Sequence, residues 1–214
     1  MVVDRSILYL GSRLPCRSET FVYREVLKLR ERKLSVAAAS VRPPEFDLGA
    51  DQLDQLAKSA IPVYGSGLIR LMWDAFQFAV RHPVRSAVTG LTGALDAFVG
   101  KGVSLAGRPK ILVQCVAGLA LAKRCQPLNV QHVHAHMAHV PTTIAMYTAM
   151  ALQIPFSFTG HAADLFRDFS LLPAKLKRAK FICCISRWHR DFYKSIWASL
   201  NNSRLPIVRC GVDM

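Results

Sequence analysis

The order of the apolar segments constrains this chain most: short strand-like runs alternate with amphipathic helical stretches from the first residues onward. Ser6 to Leu10 is a short buried strand by composition. Gly11 to Ser18 is a loop punctuated by Gly, Pro and Ser, and Glu19 to Arg32 places Val22, Val26 and Leu29 on one helical face. Leu34 to Ser40 is again strand-like, and Arg42, Pro43 and Pro44 end it with a rigid exit. A strand, helix, strand opening of this kind predicts a parallel sheet.

Further along, Asp51 to Ala60 reads as a short helix and Ile61 to Tyr64 as a third strand. The tight alternation then breaks. Leu68 to Arg81 and Val84 to Val99, split by His82 and Pro83, are amphipathic helical stretches, and Arg108 to Arg124 is a third, together a helical insertion over about residues 66–126. Alternation resumes with strands at Val130 to His134, Pro155 to Thr159, Phe181 to Ser186 and Pro206 to Cys210. Helices at Pro141 to Leu152, Leu171 to Ala179 and Arg187 to Leu200 separate them. Seven such strands with helices between them predict one α/β domain over residues 1–214, a Rossmann-like, doubly wound parallel sheet carrying a helical insertion. The chain stops directly after a strand with no closing helix, which reads as the cut edge of something longer.

Composition narrows the function classes. Hydrophobic residues make up 51% and charged residues 20%, so the chain belongs with globular proteins rather than disordered ones. The longest apolar run, Ile111 to Ala122, is too short to cross a bilayer, and Ile7 to Leu10 is too short for a secretory core, so a cytoplasmic location is expected. Six cysteines without a CxxC spacing read as reduced, buried thiols with no zinc or redox role. A formal charge of +14 attracts polyanions or an anionic membrane surface. The basic residues are scattered, which argues against a nucleic-acid groove and for phosphate-bearing substrates or lipid headgroups.

Ligands of doubly wound sheets bind beyond the carboxyl ends of the strands, and three clusters fall there. In Gly11 to Thr20, a Gly turn leads to Ser18 at the mouth of a helix, where free N–H groups suit a phosphate; an ordinary helix cap reads the same way. In Gln131 to His139, alternation puts His132 and His134 on one side of a strand, with His136 beyond it. An HxHxH run can bind a metal, but no carboxylate source is apparent nearby, so structural or substrate-lining histidines are expected. In Pro155 to Asp168, a buried strand opens into Thr159, Gly160 and His161, with Asp164 three residues on. Gly160 lets a ligand approach the backbone and His161 can hydrogen-bond a sugar hydroxyl; a loop histidine satisfied by Asp164 is the alternative.

The segments SETFVYREVLKL, SVRPP, VHAHMAH, PFSFTGHAADLF, AKFICCISRWHRDF and IVRCGVDM occur in that order. The set resembles the N-terminal domain of family 4 glycosyltransferases, most closely the branch that builds exopolysaccharides such as colanic acid. The resemblance covers nearly the whole chain apart from the helical insertion. It implies the N-terminal half of a GT-B architecture: the acceptor mainly on this domain, the nucleotide-sugar donor mainly on a second domain that this sequence lacks. It further implies retention of anomeric configuration, no metal, and no cofactor beyond the nucleotide-sugar co-substrate. By the family pattern His161 reaches the donor sugar as the catalytic histidine. Gly11, Ser18, Glu19 and Thr20 belong to the loop near the donor diphosphate, and His134, His136, Thr159, Gly160, Asp164, Ser186 and Arg187 line the cleft. The first loop carries a single Gly, Gly11, where many relatives have a Gly-rich turn.

Expected partners are therefore a nucleotide-sugar donor, a glycan or lipid-linked acceptor, and a C-terminal domain in cis or in trans, without nucleic acid. The helical insertion, especially Leu68 to Val80 with Trp73, Phe76 and Phe78 and nearby Arg70, Arg81, Arg85 and Lys101, is expected to rest on the inner face of the plasma membrane, or else to pack on the sheet. Two competing classes are a non-catalytic module that holds a polyanion or membrane, and a metal hydrolase built on His132 to His139.

Overall fold

The computed structural model describes residues 5–161 and 169–209. Six strands form its centre: β1 (Ser6–Gly11), β2 (Ser35–Ser40), β3 (Ile61–Pro62), β4 (Val130–His136), β5 (Phe156–Thr159) and β6 (Phe181–Cys183). All pairings between them are parallel, in the order β3-β2-β1-β4-β5-β6. The chain steps outward from β1 to β3, returns to lay β4 beside β1, and steps outward again on the other side. That is the Rossmann-like, doubly wound order, with its switch point between β1 and β4. Among the described residues the expected seventh strand reduces to one parallel bridge between Cys184 and Ile207.

Successive strand side chains point to opposite faces, so the sheet has two cores. On one face Tyr9, Val36 and Ala38 pack with Val22 and Val26 of α1 (Thr20–Glu31) and Leu56 of α2 (Asp51–Ser59). On the other, Leu8, Leu10, Val133, Ala135, Phe156 and Phe158 meet a larger helical layer. Burial on both faces explains why β1 and β2 read as nearly unbroken runs of apolar and small residues.

The insertion between β3 and β4 consists of α3 (Leu68–Arg81), α4 (Pro83–Val99) and α5 (Arg108–Cys125), close to the expected bounds. Helix α5 is its core, with Ala117 to Ala122 all buried, and it packs against α3, α4 and α6 (Val140–Leu152). By length and composition Leu105–Leu128 is apolar enough to cross a membrane, but half of it is buried inside the fold, as in a core helix of a globular protein. The α5–α6 contact is tight at Gly118, where a Cβ would lie 2.6 Å from the Cβ of Tyr147. Helices α7 (Leu172–Arg178) and α8 (Arg187–Ile196) complete the described chain. Cys16, Cys115, Cys125 and Cys184 are buried free thiols, and burial pushes Cys115, Cys125 and Cys184 up to about 12.

Two local differences from the sequence reading bear on the site. Strand β4 runs two residues further than expected, because His136 is in register with Thr159 of β5; His136 therefore lies within the strand, not beyond it. Helix α1 starts at Thr20 after a tight 3-10 turn, Arg17–Glu19, so Ser18 sits in that turn and does not cap α1.

Candidate functional site

Alternation along β4 turns His132, His134 and His136 toward the same side of the sheet as Tyr9 of β1. Helix α1 crosses that face, and its Glu25 supplies the carboxylate that the sequence reading did not find near the histidines. The Tyr9 hydroxyl donates to Glu25 Oε1 at 2.7 Å, and Glu25 Oε2 is 3.3 Å from His136 Nε2, a close contact that is not aligned as a hydrogen bond. His136 Nδ1 is in turn 3.5 Å from His161 Nε2. The two imidazoles lie nearly parallel, and Phe21 of α1 packs on His161 at a ring separation of 4.4 Å. A line Tyr9, Glu25, His136, His161 thus runs from the centre of the sheet to its carboxyl edge.

His134 stands behind this line and is fully enclosed. Its Nδ1 is 2.7 Å from the Ser157 hydroxyl and its Nε2 is 3.1 Å from that of Thr159, both on β5. Burial, then the charge of His136, pushes His134 down to about 3, so it is neutral at ordinary pH. For Glu25, burial raises the pKa. The close contact with His136, the hydrogen bond from the Tyr9 hydroxyl and the nearby His134 imidazole outweigh burial and hold the carboxyl down to about 2. Burial, with the adjacent carboxylate, pushes the Tyr9 phenol well above its usual range.

Glu25, His134 and His136 offer ligand atoms within 4.8 Å of one another, a set of the kind that holds a divalent metal. Both nitrogens of His134 already meet hydroxyls, and a metal has to displace one of them. The arrangement serves first as a hydrogen-bond network that fixes ring orientation.

On the same edge of the sheet, a cleft of about 630 Å³ opens at the carboxyl ends of β1, β2 and β3. Its walls mix apolar surface from Val41, Tyr64 and Val113 with the cations Arg42 and Lys110. Ser12 Oγ and Gln114 Oε1 line it and are buried without a hydrogen-bond partner. The N-terminus of α6 borders the cleft at Val140, where the His139 side chain accepts from the Val140 N–H at 2.7 Å. The two cations outnumber the one lining carboxylate, Glu19, so the cleft suits a polar ligand bearing negative charge, although the Val140 N–H is already taken by His139.

The residues singled out from sequence fall into three groups. His134, His136, Thr159 and His161 come together as described, and Gly160 joins them. A Cβ at Gly160 would collide with the Tyr193 hydroxyl, so glycine there allows α8 to approach the strand end. Gly11 ends β1 beside Ser40, and Glu19 lines the cleft, while Thr20 opens α1 half-buried. Ser18 is exposed, with its hydroxyl 3.4 Å from Cys16 Sγ. Ser186 has a structural task, capping α8 by accepting from the His189 N–H at 3.2 Å, and Arg187 is exposed in the first turn of that helix. Asp164 lies outside the described residues.

Sequence reasoning missed Tyr9, Glu25 and the cleft residues Arg42, Lys110 and Gln114. Glu25 had a readable signal: it falls one helical turn after Phe21, on the face that crosses the sheet. The cleft residues come from three distant segments and had none. No family model and no curated protein matches this chain.

Proposed function

We propose that this domain is the acceptor-side half of a retaining glycosyltransferase of the GT-B kind, moving a sugar from a nucleotide-sugar donor to a glycan or lipid-linked acceptor in exopolysaccharide biosynthesis. Its partner half, in cis or in trans, holds the nucleotide. The observation that supports this most is the oriented His161 at the end of β5, on the same carboxyl edge of the sheet as a cleft that combines apolar walls with Arg42 and Lys110.

The chemistry follows from the neighbours. Ionised Glu25 favours a proton on the facing His136 Nε2, so in the neutral ring Nδ1 accepts from His161 Nε2. That tautomer makes Nδ1 the accepting nitrogen of His161, suited to a sugar hydroxyl. Positive charge that develops on the sugar ring meets a site whose fixed charge, Glu25, lies two residues away through His136. His161 is thereby a positioning and charge-stabilising group, and the leaving diphosphate needs donors from the second domain. No metal takes part, the enzyme works on the cytoplasmic side, and nucleic acid is not a partner.

The test is sugar transfer by the domain joined to a donor-side Rossmann-like domain, over a panel of nucleotide sugars, with and without a chelator. Transfer that survives chelation and collapses in His161→Ala supports the reading. Transfer abolished by chelation and restored by a divalent metal moves the chemistry to the Glu25, His134, His136 set. The alternative of a non-catalytic polyanion-binding module is favoured by the +14 charge. It expects tight anion binding that His161→Ala leaves intact, and no transfer with any donor.

A further inference from the structure

Helix α4 is amphipathic in the inverted sense. It buries Ser86, Thr89, Gly93, Asp96 and Ala97 and exposes Val84, Val88, Leu91, Leu95 and Phe98, which recur at helical spacing along one face. Helix α3 buries Leu71, Asp74, Ala75 and Phe78, and turns a second apolar row outward: Ile69, Met72, Trp73, Phe76 and Val80. Ile69 is 89% exposed and Val84 74%. Large side chains in water on two consecutive helices exceed the scattered apolar exposure of an ordinary surface.

The inward polar groups hold this orientation. Asp74 of α3 accepts from Arg124 Nε of α5 at 2.7 Å, and Asp96 of α4 accepts from Arg178 Nη2 and from the Tyr147 hydroxyl, each at 2.9 Å. At Gly93 a Cβ would lie 2.5 Å from Cys115 Sγ, so the inner face of α4 has room only for a small residue. Rolling either helix to bury its apolar row strands a buried carboxylate and its arginine, a large cost.

Charge identifies what covers the rows. From Gln55 to Ala163 the only acidic residues are Asp74 and Asp96, and both are buried. The same stretch carries Arg70, Arg81, Arg85, Lys101, Arg108 and Lys110 around the two helices. Over residues 55–161 the exposed surface therefore has cations and apolar groups but no carboxylate. A second copy would bring the same positive rim against this one and be repelled. A surface both apolar and anionic is complementary, and a phospholipid bilayer with anionic headgroups is that surface.

We propose that the outward faces of α3 and α4 form a docking surface for an anionic phospholipid bilayer. Trp73, Phe76, Leu91, Leu95 and Phe98 enter the acyl boundary, while Arg70, Arg81, Arg85 and Lys101 meet lipid phosphates. The sequence pattern of the insertion, α3 above all, suggests contact with a membrane; the exposed row of α4 and the buried carboxylates define which two helix faces make it. Leu105, Leu112 and Val113 continue the exposed apolar groups onto α5 and its approach, and Val113 and Lys110 also line the cleft. Docking thus brings the cleft to the membrane surface. The inference stands on exposure and charge and does not rest on the sugar-transfer reading.

The experiment is co-sedimentation of the whole chain with phosphatidylcholine vesicles with and without phosphatidylglycerol, together with light scattering of the free protein. Binding is expected with phosphatidylglycerol at low salt, weakening about fivefold for each of Arg81→Gln and Arg85→Gln. The pair Leu91→Gln and Leu95→Gln, already in water, is expected to keep the native circular dichroism and lower binding at least about tenfold. Quenching of Trp73 by brominated lipid, lost in Trp73→Phe, locates the contact. No binding to phosphatidylglycerol vesicles at low salt overturns the proposal, as does binding that the leucine pair leaves unchanged. A stable dimer that the leucine pair dissociates also overturns it and assigns the face to a second copy.

Discussion

Glu25 stands 2.7 Å from the Tyr9 hydroxyl and 3.3 Å from His136 Nε2, and His136 Nδ1 in turn meets His161 Nε2. In a complete two-domain enzyme, His161→Ala is expected to lower kcat by roughly 10²-fold with little change in the acceptor KM, because its contact strengthens as charge develops. Steady-state kinetics checks this, and equal kcat in the variant removes His161 from the chemistry. Acid stability belongs to the same residues. His134 falls from 6.5 to about 3 in the fold, so the stability tied to keeping it neutral is complete above pH 6.5 and is lost as pH drops toward 3. Glu25 falls from 4.5 to about 2, so its contribution is complete above pH 4.5 and is lost below that. His132, lowered by burial and by Lys180, adds to the upper limb. Melting temperature is expected to fall steadily on acidification from pH 6.5, and His134→Gln is expected to flatten the limb between 6.5 and 4.5. A parallel, unflattened curve contradicts that origin.

Among the elements, α4, α5 and α6 carry the insertion's stability through contacts that no propensity scale anticipates. Asp96→Ala leaves Arg178 and the Tyr147 hydroxyl without their carboxylate and is expected to cost about 3 kcal/mol in urea unfolding. Gly118→Ala gains about 1 kcal/mol of helix propensity. It is nevertheless expected to be destabilising by about 2 kcal/mol, because the new Cβ meets Tyr147 Cβ at 2.6 Å. A neutral Gly118→Ala variant would mean that α5 and α6 separate freely. These elements were legible from apolar spacing: α3 begins and ends where the pattern of Leu68 to Arg81 places it. What spacing could not supply was which face turns inward. Asp74 and Asp96 carry no sequence signal for burial, and Arg124 and Arg178, reached through tertiary packing, pair with them on the inner faces. His136 was read as lying past the strand for a related reason, since the register of β4 on β5 is a long-range property. Ser18 before a helical run reads either as a phosphate-binding residue at a helix mouth or as an ordinary cap, and the 3-10 turn Arg17–Glu19 displaces it from the start of α1.

The whole molecule places two surfaces on one scaffold: a carboxyl edge where the histidine and carboxylate line ends and the cleft opens, and an apolar, carboxylate-free helical face joined to the cleft through α5. The doubly wound order follows from the alternation of segments in the chain, whereas the cleft draws Arg42, Lys110 and Gln114 from segments with no mutual pattern. A cleft bounded by this domain alone leaves a departing diphosphate in contact with water, so the domain is expected to fold by itself and not to transfer sugar by itself. The most direct measurement is product formation from a panel of nucleotide sugars by this chain, first alone and then mixed with a donor-side Rossmann-like domain of a related transferase. Transfer that appears only on mixing, and that His161→Ala suppresses, is the result expected. Transfer by the chain alone, or none with any donor domain while anion binding persists, contradicts the assignment of this fold to the acceptor side of a glycosyltransferase.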